Sequence, residues 1–270
     1  MAVTAPSSER GFGGWLVAGW DRGSLIALGL LVSVGAVVGY RWSDLIDSSG
    51  GMDLLLTGTW LWMAAMLTWR VSLRRDLVFL AVGLVGGGVI EWWGTHTRIW
   101  TYFTLERPPL WILPAWPIAT LAIDRMARML DRSLDQVAGG RRVPSTWFWI
   151  AYWVSVPSFV VAMIAFARHT VDIGATQVVI ALMVGVTLAC RDPRRDIVLF
   201  AAGSFLGIFL EYWGTSRECW TYYTGQIPPP IAAVAHGFAA VAFARGADAL
   251  NRAIDSALER RTLAALSGSS

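Results

Sequence analysis

The chain repeats itself. Arg74-Arg75-Asp76 returns 120 residues later as Arg194-Arg195-Asp196, and Glu91 returns at the same distance as Glu211. The same shift carries Gly83 and Gly87 onto Gly203 and Gly207, and Trp93-Gly94-Thr95 onto Trp213-Gly214-Thr215. It also carries Trp100-Thr101-Tyr102 onto Trp220-Thr221-Tyr222, and Pro108-Pro109 onto Pro228-Pro229. No gap is needed anywhere. A fold for this chain must give both copies equivalent local surroundings.

The medium follows from composition. Hydrophobic residues make up 55% of the chain and charged residues 15%, with mean hydropathy +0.51. Soluble domains carry about 25% charged residues. A membrane span needs about 17–25 apolar residues, and apolar stretches fall at 24–40, 53–69, 77–94, 109–123, 147–167, 173–190, 197–214 and 229–244. The expectation is an all-α integral membrane protein of about eight transmembrane helices. Four spans per copy return the chain to its starting side, so the copies form two parallel four-helix tandem repeats. The first span has a counterpart in the second half, which marks it as part of the fold and not a signal peptide.

Arginines cluster in alternate loops: Arg70, Arg74 and Arg75; Arg125, Arg128, Arg132, Arg141 and Arg142; Arg191, Arg194 and Arg195; Arg252, Arg260 and Arg261. Loops rich in Lys and Arg face the cytoplasm. Both termini are therefore expected to be cytoplasmic in a multi-pass protein of the cell inner (cytoplasmic) membrane. The Glu91 and Glu211 motifs then lie toward the other face. The net charge of +3 reflects this topology and calls for no nucleic-acid partner. The loop with Asp44 and Asp47 reads as solvated. Cys190 and Cys219 fall on opposite sides, which excludes a disulfide between them.

The expected organisation is a cytoplasmic segment at 1–23, membrane repeat 1 at 24–126, a cytoplasmic linker at 127–146, membrane repeat 2 at 147–246 and an amphipathic tail at 247–270. Met126, Leu130 and Leu134 recur at helical spacing, as do Ala247, Leu250, Ile254 and Leu258. Both sets read as amphipathic helices lying on the cytoplasmic membrane surface, and the C-terminal one reads equally as a solvated helix.

Each glutamate closes a line of small residues. Gly83, Gly87 and Glu91 stand four apart, as do Gly203, Gly207 and Glu211, so each trio shares one helix face. Small residues at that spacing admit a neighbouring helix. The glutamates should therefore point into the bundle. A charge facing lipid near the bilayer centre costs at least about 2.5–3.5 kcal/mol. A carboxyl group in a dry apolar site tends to keep its proton, and aromatic faces attract cations. Together these suit protonation of an alkene and stabilisation of the resulting cation. Glu91, Glu211, Tyr102 and Tyr222 are the candidate catalytic residues. Trp93, Trp100, Trp213, Trp220 and His236 are the candidate substrate-binding residues.

A bland reading stands beside this one. Trp and Tyr belong at membrane interfaces, and a glutamate among them can serve as a polar clamp that only locks helices. Gly94 and Gly214 read as helix ends, and the proline pairs as helix starts. The copies differ at His96/Ser216, Thr97/Arg217, Arg98/Glu218 and Trp116/His236. Nothing has the spacing of a metal-ligand motif, a phosphate-binding glycine loop or a nucleophile elbow. No metal and no cofactor are expected.

The run of a glutamate, a glycine three residues on, aromatics with a Tyr, and prolines opening an apolar span resembles a known group. These are the integral-membrane carotenoid-biosynthesis proteins that include the bisanhydrobacterioruberin-type carotenoid hydratases. More distantly it is similar to membrane-integral terpene and lycopene cyclases. The matching stretches are 91–116 and 211–236, and the carried residues are Glu91, Gly94, Tyr102 and Pro108 with Glu211, Gly214, Tyr222 and Pro228. Where the hydratases carry a Phe-Gly-rich segment before the Tyr, this chain has 96–99 or 216–219. The resemblance implies cofactor-independent hydration or cyclisation of an isoprenoid end group, with a lipophilic small-molecule substrate drawn from the bilayer. The alternatives are a transporter or binding protein for a small apolar or cationic molecule, and a non-catalytic membrane scaffold.

Overall fold

The computed structural model describes residues 12–41, 51–139 and 143–267. Asp44, Asp47, Arg141 and Arg142 lie outside the described residues. The protein is nearly all-α. In chain order the helices are α1 (Phe12–Val17), α2 (Arg22–Arg41), α3 (Gly51–Thr68), α4 (Leu73–His96), α5 (Ala115–Val137), α6 (Ser145–Phe166), α7 (Gly174–Leu188), α8 (Pro193–Ser216) and α9 (Pro230–Ser267). Two short strands, β1 (Trp100–Tyr102) and β2 (Trp220–Tyr222), follow α4 and α8.

Among the described residues, four helical stretches are long and apolar enough to cross a membrane: Leu73–His96, Ser145–Phe166, Pro193–Ser216 and Pro230–Arg260. By length and composition this is a multi-pass membrane protein. α7 is apolar but has only 15 residues, about 22 Å at the helical rise, against a hydrocarbon core of about 30 Å.

The chain divides into two compact units. The smaller comprises Met1–Ser72 and Arg125–Val143. Its centre is Trp69, fully buried, whose Nε1 donates to the Leu16 carbonyl at 2.9 Å. The ring lies so close to Gly19 that a Cβ there would sit 1.8 Å from it. Arg125, also fully buried, donates from Nε to the Trp69 carbonyl at 3.3 Å. The larger unit comprises Leu73–Asp124 and Pro144–Ser270 and holds every residue of the duplicated motif.

In the larger unit the glycine rows work as contact surfaces. A Cβ at Gly83 would meet Thr120 and the Pro117 backbone at 2.7–3.0 Å, and one at Gly87 would meet the Trp116 ring at 2.1 Å. That is α4 against the start of α5. At Gly203 and Gly207 a Cβ would meet the carbonyls of His236 and Ala233 at 2.6 and 2.3 Å, which is α8 against α9. Gly86, which the four-residue spacing leaves out, seats the Phe243 ring of α9. α6 completes the core with Tyr152, Val156, Phe159, Val160 and Met163, all buried.

Charged side chains tie these helices together. Asp196 of α8 pairs with Arg245 of α9. Arg245 also donates to the Tyr152 hydroxyl at 3.1 Å, which in turn donates to the Thr187 carbonyl at 2.8 Å. Four helices meet at this network. Arg75 pairs with Asp124 at 2.6 Å.

Three local expectations need correction. The amphipathic stretches are not separate surface helices. Residues 126–134 continue α5, and 247–258 continue the 38-residue α9, because no proline interrupts either run after Pro117 and Pro230. Gly94 and Gly214 do not end their helices, which run on to His96 and Ser216. The stop comes at Arg98 and Glu218, both left-handed with φ 58° and 55°. Ile99 N–H and Cys219 N–H donate back to the Gly94 and Gly214 carbonyls, both at 2.9 Å, in the Schellman pattern of helix ends. Finally, Pro108-Pro109 opens only a 3-10 turn, Leu110–Ile112. Pro114 intervenes before α5, whereas α9 starts directly at Pro230.

Candidate functional site

β1 and β2 were not foreseen, and they build the site. They pair antiparallel, Trp100 opposite Tyr222, Thr101 opposite Thr221 and Tyr102 opposite Trp220. That register maps onto itself under the 120-residue shift. It ties the C-terminal end of α4 to that of α8 and interleaves the aromatic side chains of the two copies. The Trp100 and Tyr222 rings lie 5.9 Å apart, and Tyr102 and Trp220 lie 6.0 Å apart.

The glycine within each motif makes room for this. A Cβ at Gly94 would come within 1.9 Å of the Trp100 ring, and one at Gly214 within 1.9 Å of the Trp220 ring. Each indole folds back over its own helix and reaches the glutamate one turn below. Thr95 and Thr215 donate to the Glu91 and Glu211 carbonyls, both at 2.6 Å, and secure that last turn.

Glu91 is buried. Its Oε2 accepts from the Tyr102 hydroxyl at 2.8 Å and from Trp100 Nε1 at 3.2 Å. Its Oε1 accepts from Trp116 Nε1 at 2.9 Å. Glu211 is buried too. Its Oε2 accepts from Tyr222 and from Trp220 Nε1, both at 2.9 Å, and its Oε1 lies 3.0 Å from His236 Nε2. Buried polar groups must find partners, and each carboxylate has found three. Burial first, and then the charge of the carboxylate each one touches, push the Tyr102 and Tyr222 phenols above their usual range. Both therefore stay neutral donors at physiological pH.

Both glutamates line one cavity of about 150 Å³. Around them stand Trp93, Trp100, Tyr102, Trp116, Trp220, Tyr222 and His236, and the remaining wall is apolar, with Ile90, Ile112, Met163, Phe166 and Leu210. A space of this size holds a group about as large as benzene. Trp116 and His236, equivalent positions in the two copies, stack across it with centroids 5.5 Å apart and planes 12° apart.

Of the residues expected at the site, Glu91, Glu211, Tyr102, Tyr222, Trp93, Trp100, Trp220 and His236 come together here. Trp213 does not: it is absent from the cavity wall and its Nε1 is buried with no hydrogen-bond partner among the described residues. Its counterpart Trp93 donates to Thr176 at 3.0 Å, so the two copies differ here. Trp116 was overlooked as a donor to Glu91. The signal that finds it is its place 120 residues before His236.

No protein-family model, no curated protein and no solved structure matches this chain.

Proposed function

We propose that the cavity is an acid–base site for the end group of an isoprenoid, in a chain of two parallel four-helix repeats that crosses the inner membrane eight times with both termini cytoplasmic. The observation that carries this reading is the pair of buried carboxylates on a single apolar cavity ringed by indoles and phenols. A carboxylic acid there gives its proton to one carbon of a C=C bond, and the π pair becomes the new C–H bond. The other carbon is left cationic beneath aromatic faces that stabilise it. In hydration, water adds through oxygen and its surplus proton goes to a carboxylate. In cyclisation, a second C=C bond of the same chain attacks and a proton is lost to that carboxylate. Two carboxyl groups in one site suit such a division of acid and base roles. Neither route needs a redox cofactor. The cavity admits only the terminus, so the rest of a long isoprenoid stays outside it.

Cells that make an acyclic carotenoid and express this chain should accumulate a product heavier by one water, or an isomer of equal mass with a ring. Lipid extraction and mass spectrometry read this directly. Glu91→Gln and Glu211→Gln should each reduce product by about 100-fold or more at unchanged protein level. Full activity in both variants overturns the reading.

A second reading draws on the saturated hydrogen bonding. Glu91 accepts from three donors, and Glu211 accepts from two and lies against His236 Nε2, an arrangement that also suits a fixed negative charge binding a small cation under aromatic faces. Saturable binding of a tetraalkylammonium probe to the purified chain, lost in both Gln variants with no product formed from any isoprenoid, favours it.

A further inference from the structure

The hydrogen-bond partners of the two glutamates are alike except at one atom pair. Glu91 receives an indole N–H from Trp116, and Glu211 faces the imidazole Nε2 of His236. Indole N–H is a donor only. It carries no lone pair for a proton and gives none up in water. Imidazole does both, and in the pH range where biology works.

The remaining partners of both glutamates are matched: one indole and one phenol each, from the same positions of β1 and β2. Among the groups bonded to the two carboxylates, this one substitution is the only source of different proton behaviour. The titratable groups facing His236 are Glu211 from α8 and, on the same cavity wall, Glu91 from α4 and Tyr102 and Tyr222 from the strands. α5 presents the Trp116 ring, stacked on the imidazole. α6 presents Met163 and Phe166, which carry no charge.

From this geometry we infer that the halves have separate tasks: Glu211 and His236 form a pair that exchanges a proton, and Glu91 is a fixed carboxylate that does not. The inference rests on the acid–base reading for its use in a reaction, where it moves the base role from the second carboxylate to His236, but not for its existence. In the reaction, Glu211 gives its proton to the alkene carbon and is left as a carboxylate. His236 restores that proton from its imidazolium form. Water then adds to the cationic carbon, and its surplus proton returns to His236. The net change is one water added to one C=C bond, with both side chains restored. Glu91 faces the cation throughout.

The test needs no substrate. The full chain in lipid nanodiscs is taken through a pH step, and infrared difference spectra record carboxyl groups that gain or lose protons. The chain has three histidines, so ¹⁵N-histidine labelling follows His236 beside His96 and His169. The expected result is one buried carboxyl signal that disappears in Glu211→Gln and persists in Glu91→Gln. His236→Gln keeps an N–H donor toward Glu211 without a titrating ring, and should also remove the signal. Thermal unfolding of each variant confirms that it is folded. The double exchange Trp116→His with His236→Trp should restore the signal and make it depend on Glu91. A signal that needs Glu91 in the native chain, one that survives His236→Gln, or no signal at all overturns the inference. Failure of the isoprenoid assay with these spectra intact removes the reaction and leaves the proton pair standing.

Discussion

The Glu91 clamp and the Glu211 clamp are two solutions to one packing problem. In both, a glycine three residues past the glutamate seats an indole, and a short strand returns a phenol to the same oxygen. They part at the third donor, where α5 supplies a tryptophan and α9 a histidine. The shared parts explain how a carboxylate is held inside an apolar bundle. The difference sets an imidazole against one carboxylate and an indole against the other. Donors common to both halves are framework by this comparison, and the residue that differs is the candidate for chemistry.

The strongest way to break this comparison is to remove the carboxylates outright. Glu91→Ala and Glu211→Ala each leave three polar partners without their carboxylate. Removing one partner of a buried charged cluster costs about 3–5 kcal/mol. Equal losses in reversible detergent unfolding fit equivalent clamps, and a loss confined to one half shows that only one carries the fold.

Filling the glycines comes next. Gly94→Ala and Gly214→Ala each place a methyl group against an indole ring. Overpacking of this kind costs about 1–3 kcal/mol, and the displaced Trp100 or Trp220 should change the tryptophan fluorescence. Similar losses in both variants support a common role as indole seats. A neutral result at either position restores the simpler reading of that glycine as a helix stop.

The phenols give the smallest effect, and it depends on pH. An unfolded tyrosine ionises near pH 10, whereas Tyr102 and Tyr222 are held above that by burial and then by their glutamates. Their contribution to stability is therefore complete below about pH 10 and is lost as pH rises toward the folded-state values. Tyr102→Phe and Tyr222→Phe should each cost about 1–2 kcal/mol near neutrality and flatten the loss of stability above about pH 10. Melting curves at neutral and alkaline pH check both halves together. An unaltered alkaline slope in the double Phe variant removes the phenols from the account.

Much of the local structure was legible in the sequence. The apolar stretches read from hydropathy fall on helices, because apolar runs of that length have few other conformations, except that 109–123 becomes α-helical only from Ala115. The glycine rows and the inward glutamates followed from helical spacing alone, and the structure places both against neighbouring helices. Reading stopped where contacts leave the local chain. The four-residue glycine rule passed over Gly86, which meets α9 from another face of α4. The repeat promised equal roles for Trp93 and Trp213, yet one lines the cavity and the other does not.

By itself the sequence determined the repeat, the helices and the inward-facing carboxylates, because these depend on periodicity and on the cost of exposing charge to lipid. Only the tertiary structure decided that the two glutamates share one cavity. That rests on β1 pairing with β2 across 120 residues of chain, and a three-residue strand is too short to leave a periodic trace. The tertiary structure also gave meaning to the exchange of Trp116 for His236. In the sequence it is one mismatch among several, and in the folded protein it is the single difference between the donor sets of the two carboxylates.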